Sequence, residues 1–166
     1  HNAMVRGDFT VKGEDSIIYD GELSNVQAVV NTGRAQVYGI SGMCKMDLTE
    51  NWAASFYGNY TKGRDLINDE PLRHTTPVFG LASLFYNRSK FQGEFFIRFN
   101  GNVPFDDLPP SEKNKPYMYS SDGSLSWYTL NIRMQYQLND VFLINAATEN
   151  ILDHHYRTYS SGISAP

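Results

Sequence analysis

Three things are missing from this chain, and each absence closes off a class of protein. No window of about 18 apolar residues occurs, so no helix can cross a bilayer. That leaves strands open, because a membrane strand needs only about 10 alternating residues and looks hydrophilic on any average. Basic clusters are missing too: 14 Lys and Arg stand against 18 Asp and Glu, a net charge of −4, which speaks against nucleic acid as a partner. The lone Cys44 excludes an intrachain disulfide framework and leaves the redox compartment open. No signal peptide opens the chain, as expected of a cytoplasmic protein, a mature one or a fragment, and His1-Asn2-Ala3 before Met4 reads equally as tag or native strand. No carboxylate pair sits beside a His or Ser with triad logic, no Gly-rich phosphate loop follows a strand, and no nucleophile elbow occurs. A non-enzyme without cofactor is expected.

What the chain does have is aromatic content and alternation. Aromatics make up 14%, with 11 Tyr and 10 Phe, which favours strands with much surface to cover. In residues 91–101, Phe91, Gly93, Phe95, Ile97 and Phe99 oppose Gln92, Glu94, Arg98 and Asn100, with Phe96 the exception. In residues 128–138, Tyr128, Leu130, Ile132, Met134, Tyr136 and Leu138 oppose Thr129, Asn131, Arg133, Gln135 and Gln137. Successive strand side chains point to opposite faces, so the sheet has one apolar surface and one polar, charged surface.

About seven strands are predicted, over residues 3–11, 26–48, 52–61, 78–86, 91–101, 128–138 and 141–152. The second is expected to bulge or break at Asn31-Thr32-Gly33. The polar breaks alternate in length: long at 12–24, short at 49–51, long at 62–76, short at 87–90, long at 102–126, short at 139–140, then a long tail. Tight turns at one end of a sheet and extended loops at the other are what outer-membrane barrels show.

A soluble barrel of the lipocalin type also alternates, and remains the alternative. Two features favour the membrane. The polar face carries long hydrogen-bonding side chains suited to a wet lumen: Gln92, Glu94, Arg98, Asn131, Arg133, Gln135 and Gln137. Aromatics gather toward strand ends (Trp52, Tyr60, Tyr86, Phe91, Trp127, Tyr128, Tyr136, Phe142), as girdles at the bilayer interfaces do. The expected fold is therefore all-β, an antiparallel up-and-down transmembrane β-barrel segment with Phe95, Ile97, Phe99, Leu130, Ile132 and Met134 facing lipid.

Candidate sites lie on the long-loop side. His74, His154 and His155 suggest haem or metal capture, but nothing at metal-ligand spacing accompanies them, so no metal is expected. Asp65, Asn68, Asp69 and Glu70 form an oxygen-rich loop without the spacing of a calcium site, and are expected to face solvent, as are Asp106-Asp107 and Ser111-Glu112-Lys113. Tyr117 and Tyr119 could stack on a ligand, for instance a sugar ring, if their loop forms a mouth.

The C-terminal stretch Glu149-Asn150-Ile151-Leu152-Asp153, then Tyr156-Arg157, then Ser161-Gly162-Ile163-Ser164-Ala165-Pro166 resembles the closing segment of TonB-dependent outer-membrane receptors. Upstream, Val29-Val30-Asn31-Thr32-Gly33-Arg34-Ala35-Gln36-Val37-Tyr38-Gly39 is similar to that family's Asn-x-Gly-x-Ala-x-x-x-Gly strand. Pro77-Val78-Phe79-Gly80 and Ser126-Trp127-Tyr128-Thr129-Leu130-Asn131 also match its late barrel strands, all in the family's order. The resemblance implies a barrel of about 22 strands plugged by an N-terminal domain. It implies a bacterial outer-membrane importer of a scarce, bulky solute: iron chelate, haem, cobalamin or glycan. Its partners would be outer-membrane lipid, an inner-membrane TonB-type energy-coupling protein acting through an N-terminal region, and a surface lipoprotein. Residues 1–166 contain neither plug nor coupling box and stop before a final amphipathic strand, so they read as the C-terminal part of the barrel. Such a piece alone is expected to oligomerise through unpaired strand edges.

Overall fold

A computed structural model describes residues 4–31, 34–161 and 164–165. Thirteen strands are described: β1 (Met4–Asp8), β2 (Ser16–Tyr19), β3 (Glu22–Asn25), β4 (Gln27–Asn31), β5 (Ala35–Asp47), β6 (Trp52–Asp65), β7 (Glu70–Pro71), β8 (Phe79–Arg88), β9 (Phe91–Asn100), β10 (Trp127–Gln137), β11 (Leu143–Thr148), β12 (Tyr156–Arg157) and β13 (Ser164–Ala165). A 3-10 turn (Phe105–Asp107) and a one-turn helix α1 (Pro110–Lys113) lie between β9 and β10.

The main sheet runs β11-β10-β9-β8-β6-β5, with β7 added beside β6. Every pairing is antiparallel, and chain neighbours are sheet neighbours apart from the short β7, so the topology is up-and-down. The sheet is open: β5 and β11 are not paired with each other.

Register makes the expected faces explicit. Leu130 lies opposite Ile97, Ile132 opposite Phe95 and Tyr128 opposite Phe99. The same face continues through Ala82 and Leu84 to Phe56 and Ala54, then to Cys44 and Met46. In the other direction it reaches Ile144 and Ala146. Aromatics bound it in two rows. Near the short turns Trp52, Tyr86 and Phe91 touch in series, with ring centroids 4.8 and 6.0 Å apart. Near the long loops stand Tyr38, Tyr60, Phe99 and Tyr128. From Trp52 to Tyr60 is about 27 Å along the strand at about 3.4 Å per residue, and about 21 Å along the normal at the usual tilt.

Two of the short turns are closed by a side chain. Thr49 Oγ1 accepts from the amides of Asn51 and Trp52, and Asn139 Oδ1 from those of Val141 and Phe142. At the other end the chain departs from expectation. Residues 12–24 are not a plain polar break: Ser16–Tyr19 and Glu22–Asn25 form a hairpin whose turn, Asp20-Gly21, has φ of 50° and 83°. Positive φ at both central positions is the turn geometry that Asp-Gly favours. β6 runs on to Asp65 because β5 pairs it residue by residue, Ala35 opposite Asp65. β11 is shorter than expected at both ends, since Val141 and Phe142 belong to the turn and Asn150 takes φ 51°. The predicted break at Asn31-Thr32-Gly33 falls between β4 and β5, but Thr32 and Gly33 lie outside the described residues, as do His1, Asn2, Ala3, Gly162, Ile163 and Pro166.

Candidate functional site

On the polar face, Arg133 and Glu94 are register partners and form an ion pair at 3.2 Å. Arg98 reaches Glu149 at 3.4 Å. Phe96, the exception to the alternation, lies between these two cations: the Arg133 guanidinium is 4.4 Å and that of Arg98 5.3 Å from its ring centre, and the ring is 1% exposed. A ring on a charged face is thus stabilised by cation–π contact and burial together. Gln92 and Gln135 are paired on the same face.

Asn131 belongs to this face but is buried, and its amide ties elements together. Its Nδ2 donates to Phe96 O (3.2 Å), Thr129 O (3.1 Å) and Thr129 Oγ1 (3.1 Å), while its Oδ1 accepts from the Asn150 amide at 2.9 Å. Asn150 in turn accepts from His154 N and donates to His154 O. The closing stretch is therefore pinned to β10, helped by a tilted ring contact between Tyr156 and Trp127 with centroids 4.3 Å apart. Arg157 completes it, donating to Tyr117 O and to Ser164 Oγ.

Above this face the long segments form a cap organised by one carboxylate. Glu112, expected to face solvent, is fully buried instead. The reason is that three donors converge on it: Lys115 Nζ at 2.8 Å, Arg73 Nη2 at 3.2 Å and the Tyr119 hydroxyl at 3.0 Å. Burial pushes its carboxyl up, but the hydrogen bonds from Lys115 and Tyr119, the Lys115 charge and the Arg73 hydrogen bond outweigh it and hold the group below its ordinary range. Tyr119 is pushed up to about 12, by burial first and Glu112 second, and Tyr159 is raised for the same two reasons. Leu108 is buried beneath the cap, and Gly123, at φ 90°, passes so close to the Val103 carbonyl that no side chain would fit.

The four ligand candidates are not equivalent. Tyr117 is 69% exposed, as a stacking platform must be. Tyr119 is 6% exposed and its hydroxyl is committed to Glu112, so it is a cap residue rather than a surface for a ligand. His74 Nδ1 lies 2.7 Å from Ser160 Oγ and so joins segment 66–78 to the tail. His154 sets its ring edge-on to Tyr128, centroids 5.7 Å apart. These histidines do not converge, and among the described residues no group of three or more His, Cys, Asp or Glu side chains is placed to hold a metal. In the oxygen-rich loop, Asp65 is buried and accepts from Ile67 N, Asn68 N and Asn68 Nδ2, while Asp69 pairs with Arg64 at 2.6 Å.

Glu112 and Arg73 are 39 residues apart, and no local pattern joins them. The usable signal for the cap was the apolar content of residues 102–126, with Val103, Phe105, Leu108 and Met118 among the polar residues and Leu108 followed by two rigid prolines.

A twisted row of up-and-down antiparallel strands, one face apolar and the other polar, with tight turns at one end and a folded cap at the other, is a length of β-barrel wall. No family model and no curated protein matches the sequence. Among solved structures, the chain is similar to one described as "Copper transporter OprC", with a TM-score of 0.62 and 17% identity over 82% of this chain. It spans about a fifth (20%) of that structure's length. At that identity the likeness is one of fold.

Proposed function

We propose that this chain is part of the wall and outer cap of a bacterial outer-membrane transporter of the energy-coupled kind, taking up a scarce, bulky solute such as an iron chelate, haem, cobalamin or glycan. The observation that carries this is the apolar face, continuous over six strands and bounded by aromatic rows at both ends. In the proposed orientation Phe95, Ile97, Phe99, Leu130, Ile132 and Met134 meet lipid. Gln92, Glu94, Arg98, Asn131, Arg133 and Gln135 meet the lumen, where the ion pairs of Arg98 and Arg133 keep the wall from presenting bare charge to a plug. Outer-membrane location, a TonB-type coupling protein and a surface lipoprotein belong to the same proposal. The solved copper transporter makes a metal-bearing solute part of the range; in this chain the residues nearest such a role are His74 and Tyr117 on the cap.

Impermeant maleimide on whole cells tests the orientation, using the full-length protein in a Cys44→Ser background. Tyr117→Cys is expected to label on intact cells, and Ser89→Cys and Asp140→Cys only after permeabilisation. The reverse pattern, or labelling of all three, would remove the membrane reading.

A further inference from the structure

We infer that the notch between the upper end of β6 and the cap binds one sugar ring of a neutral glycan, with Asp107 as the acceptor that anchors it. The inference rests on the importer reading above and narrows it to one solute class and one place. The notch exists because a ladder stops early. β6 pairs with β8 only as far as Asn59 opposite Phe79, and the same register carried on would set Thr61 opposite Pro77. Proline has no N–H to give, so no rung forms there. Two residues further, Gly63 turns its backbone to that same edge, where its carbonyl accepts from Leu72 N at 3.0 Å. Thr61 therefore directs its own backbone groups into the gap between these two points, with no strand residue opposite it on that edge. Segment 71–78 folds closely over the gap: a Cβ at Gly63 would stand 2.8 Å from Thr75 Oγ1 and 3.0 Å from Leu72 Cδ1. The space thus belongs to the face of β6 that carries Thr61 and Gly63, not to that of Lys62.

Its size and lining choose the ligand. The volume is about 230 Å³, below the range of about 300 to 1,000 Å³ that encloses a whole drug-sized ligand, so it takes a single ring of something larger. Its walls are mixed as a pyranose is mixed. Leu72, Pro77, Val78, Val103 and Pro104 suit the C–H face of a sugar, while Thr61, Asn102, Asp107 and Tyr159 set donors and acceptors around its hydroxyls. Tyr159 is held in position by its ring contact with Tyr119, centroids 6.2 Å apart, which ties the notch to the cluster around Glu112. Charge narrows the choice further. Asp107 takes part in none of the ion pairs among the described residues, whereas Arg64 is committed to Asp69 at 2.6 Å. An anionic chelate or a haem carboxylate would meet a bare carboxylate here, and neighbouring sugar hydroxyls would instead donate to it.

The test uses the full-length protein in detergent, with affinities for maltohexaose, cellohexaose and mannohexaose measured by titration calorimetry. Wild type is expected to bind at least one of them with Kd below about 1 mM, and binding of none would overturn the inference. For the oligosaccharide bound, Asp107→Asn should weaken affinity about tenfold and Tyr159→Phe about threefold, as losing a charged and a neutral hydrogen bond does. Asp106→Asn, the same change one residue away and outside the notch, should stay within about twofold. Val103→Trp fills the space without removing a polar group and should abolish binding. Unchanged affinity in folded Asp107→Asn or in Val103→Trp, or an equal loss in Asp106→Asn, would overturn the inference while leaving the importer reading in place. A full-length protein that is soluble without detergent would instead overturn the importer reading.

Discussion

The sheet and the cap of this molecule are ordered by different physics. In the sheet, order comes from a backbone ladder: thirteen register pairs join β5 to β6 and ten join β9 to β10, whatever the side chains are. Its apolar side chains keep much of their surface exposed, Ile40 at 74% and Phe95 at 39%, and under the membrane orientation proposed above hydrocarbon would cover them. The cap has no ladder of comparable extent. Its order comes from a few polar side chains converging on Glu112, and its small apolar centre, Leu108, is buried without any membrane. One region thus depends on what lies outside the protein, the other on a single internal carboxylate. Each should therefore fail independently of the other.

The sharpest way to break the comparison is to put equal charge on the two faces of one strand. Ile132→Arg, on the apolar face of β10, is expected to cost about 2 to 4 kcal/mol in a bilayer, as a cation near midplane depth does. Gln135→Arg, three residues on and on the opposite face, should cost under about 0.5 kcal/mol, as surface substitutions do. Urea titration of the folded barrel in lipid vesicles, followed by gel mobility, measures both. Equal losses would mean that the faces do not meet different solvents.

Next in size is the loss of the cap's carboxylate. Removing one partner of a fully buried ion pair costs about 3 to 5 kcal/mol, but Arg73 and Lys115 keep 41% and 25% of their side chains exposed, so water recovers part of it. Glu112→Ala should therefore destabilise the cap by about 2 to 3 kcal/mol. Hydrogen exchange should rise at Lys113, Lys115 and Tyr119 and stay unchanged in β9 and β10. A rise in both regions would show that sheet and cap unfold together.

Asn131 joins the sheet to the closing stretch, and Asn131→Ala should cost about 1 to 2 kcal/mol through the side-chain hydrogen bonds it removes. The expected signature is local: faster exchange at Asn150 and Ile151, with Glu112 still protected.

The same division governs what could be read from the amino acids. Alternation in residues 91–101 and 128–138 marked the faces because a strand in a ladder needs only a period of two. Phe96 broke that period for a reason invisible along the chain, since its two guanidinium partners lie two residues away on its own strand and across on the next. The extension of β6 through Lys62 and Arg64 was obscured because cations ended the apolar pattern before the ladder ended. The hairpin in 12–24 did carry a local sign, Asp20-Gly21, but Ile17-Ile18-Tyr19 does not alternate and masked it. The stretch Glu149 to Asp153 was legible as a pattern, and its geometry supplies the reasons: Glu149 meets Arg98, and Asn150 takes a left-handed turn that Asn131 and His154 brace. The cluster around Glu112 had no period to betray it.

The smallest expected effect is that of pH, and in the cap it should be set by Glu112 and Tyr119. Glu112 has a folded pKa below its ordinary value of 4.5, so it binds its proton less readily folded than unfolded. Its contribution is therefore complete above about pH 4.5 and is lost as pH falls through the lower folded value. Tyr119 has the opposite sign. Its folded pKa is raised from 10.0 to about 12, so the stability it lends is complete below pH 10 and drains away as pH climbs toward 12. Between these limits Glu112 stays charged and Tyr119 stays a donor, and the cap should show flat proteolytic resistance from about pH 5 to 9.5. Glu112→Gln removes this carboxyl's share of the acid limb while keeping a hydrogen-bond acceptor for Tyr119, so the variant should be weaker at neutral pH and lose less than wild type on acidification. The remainder comes from Asp65 and Asp69, whose carboxyls are also held low by hydrogen bonds, from Ile67 and from Arg64 respectively. If wild type and variant lost resistance at the same acid pH, the titrating group would lie elsewhere and Glu112 would be a packing residue only.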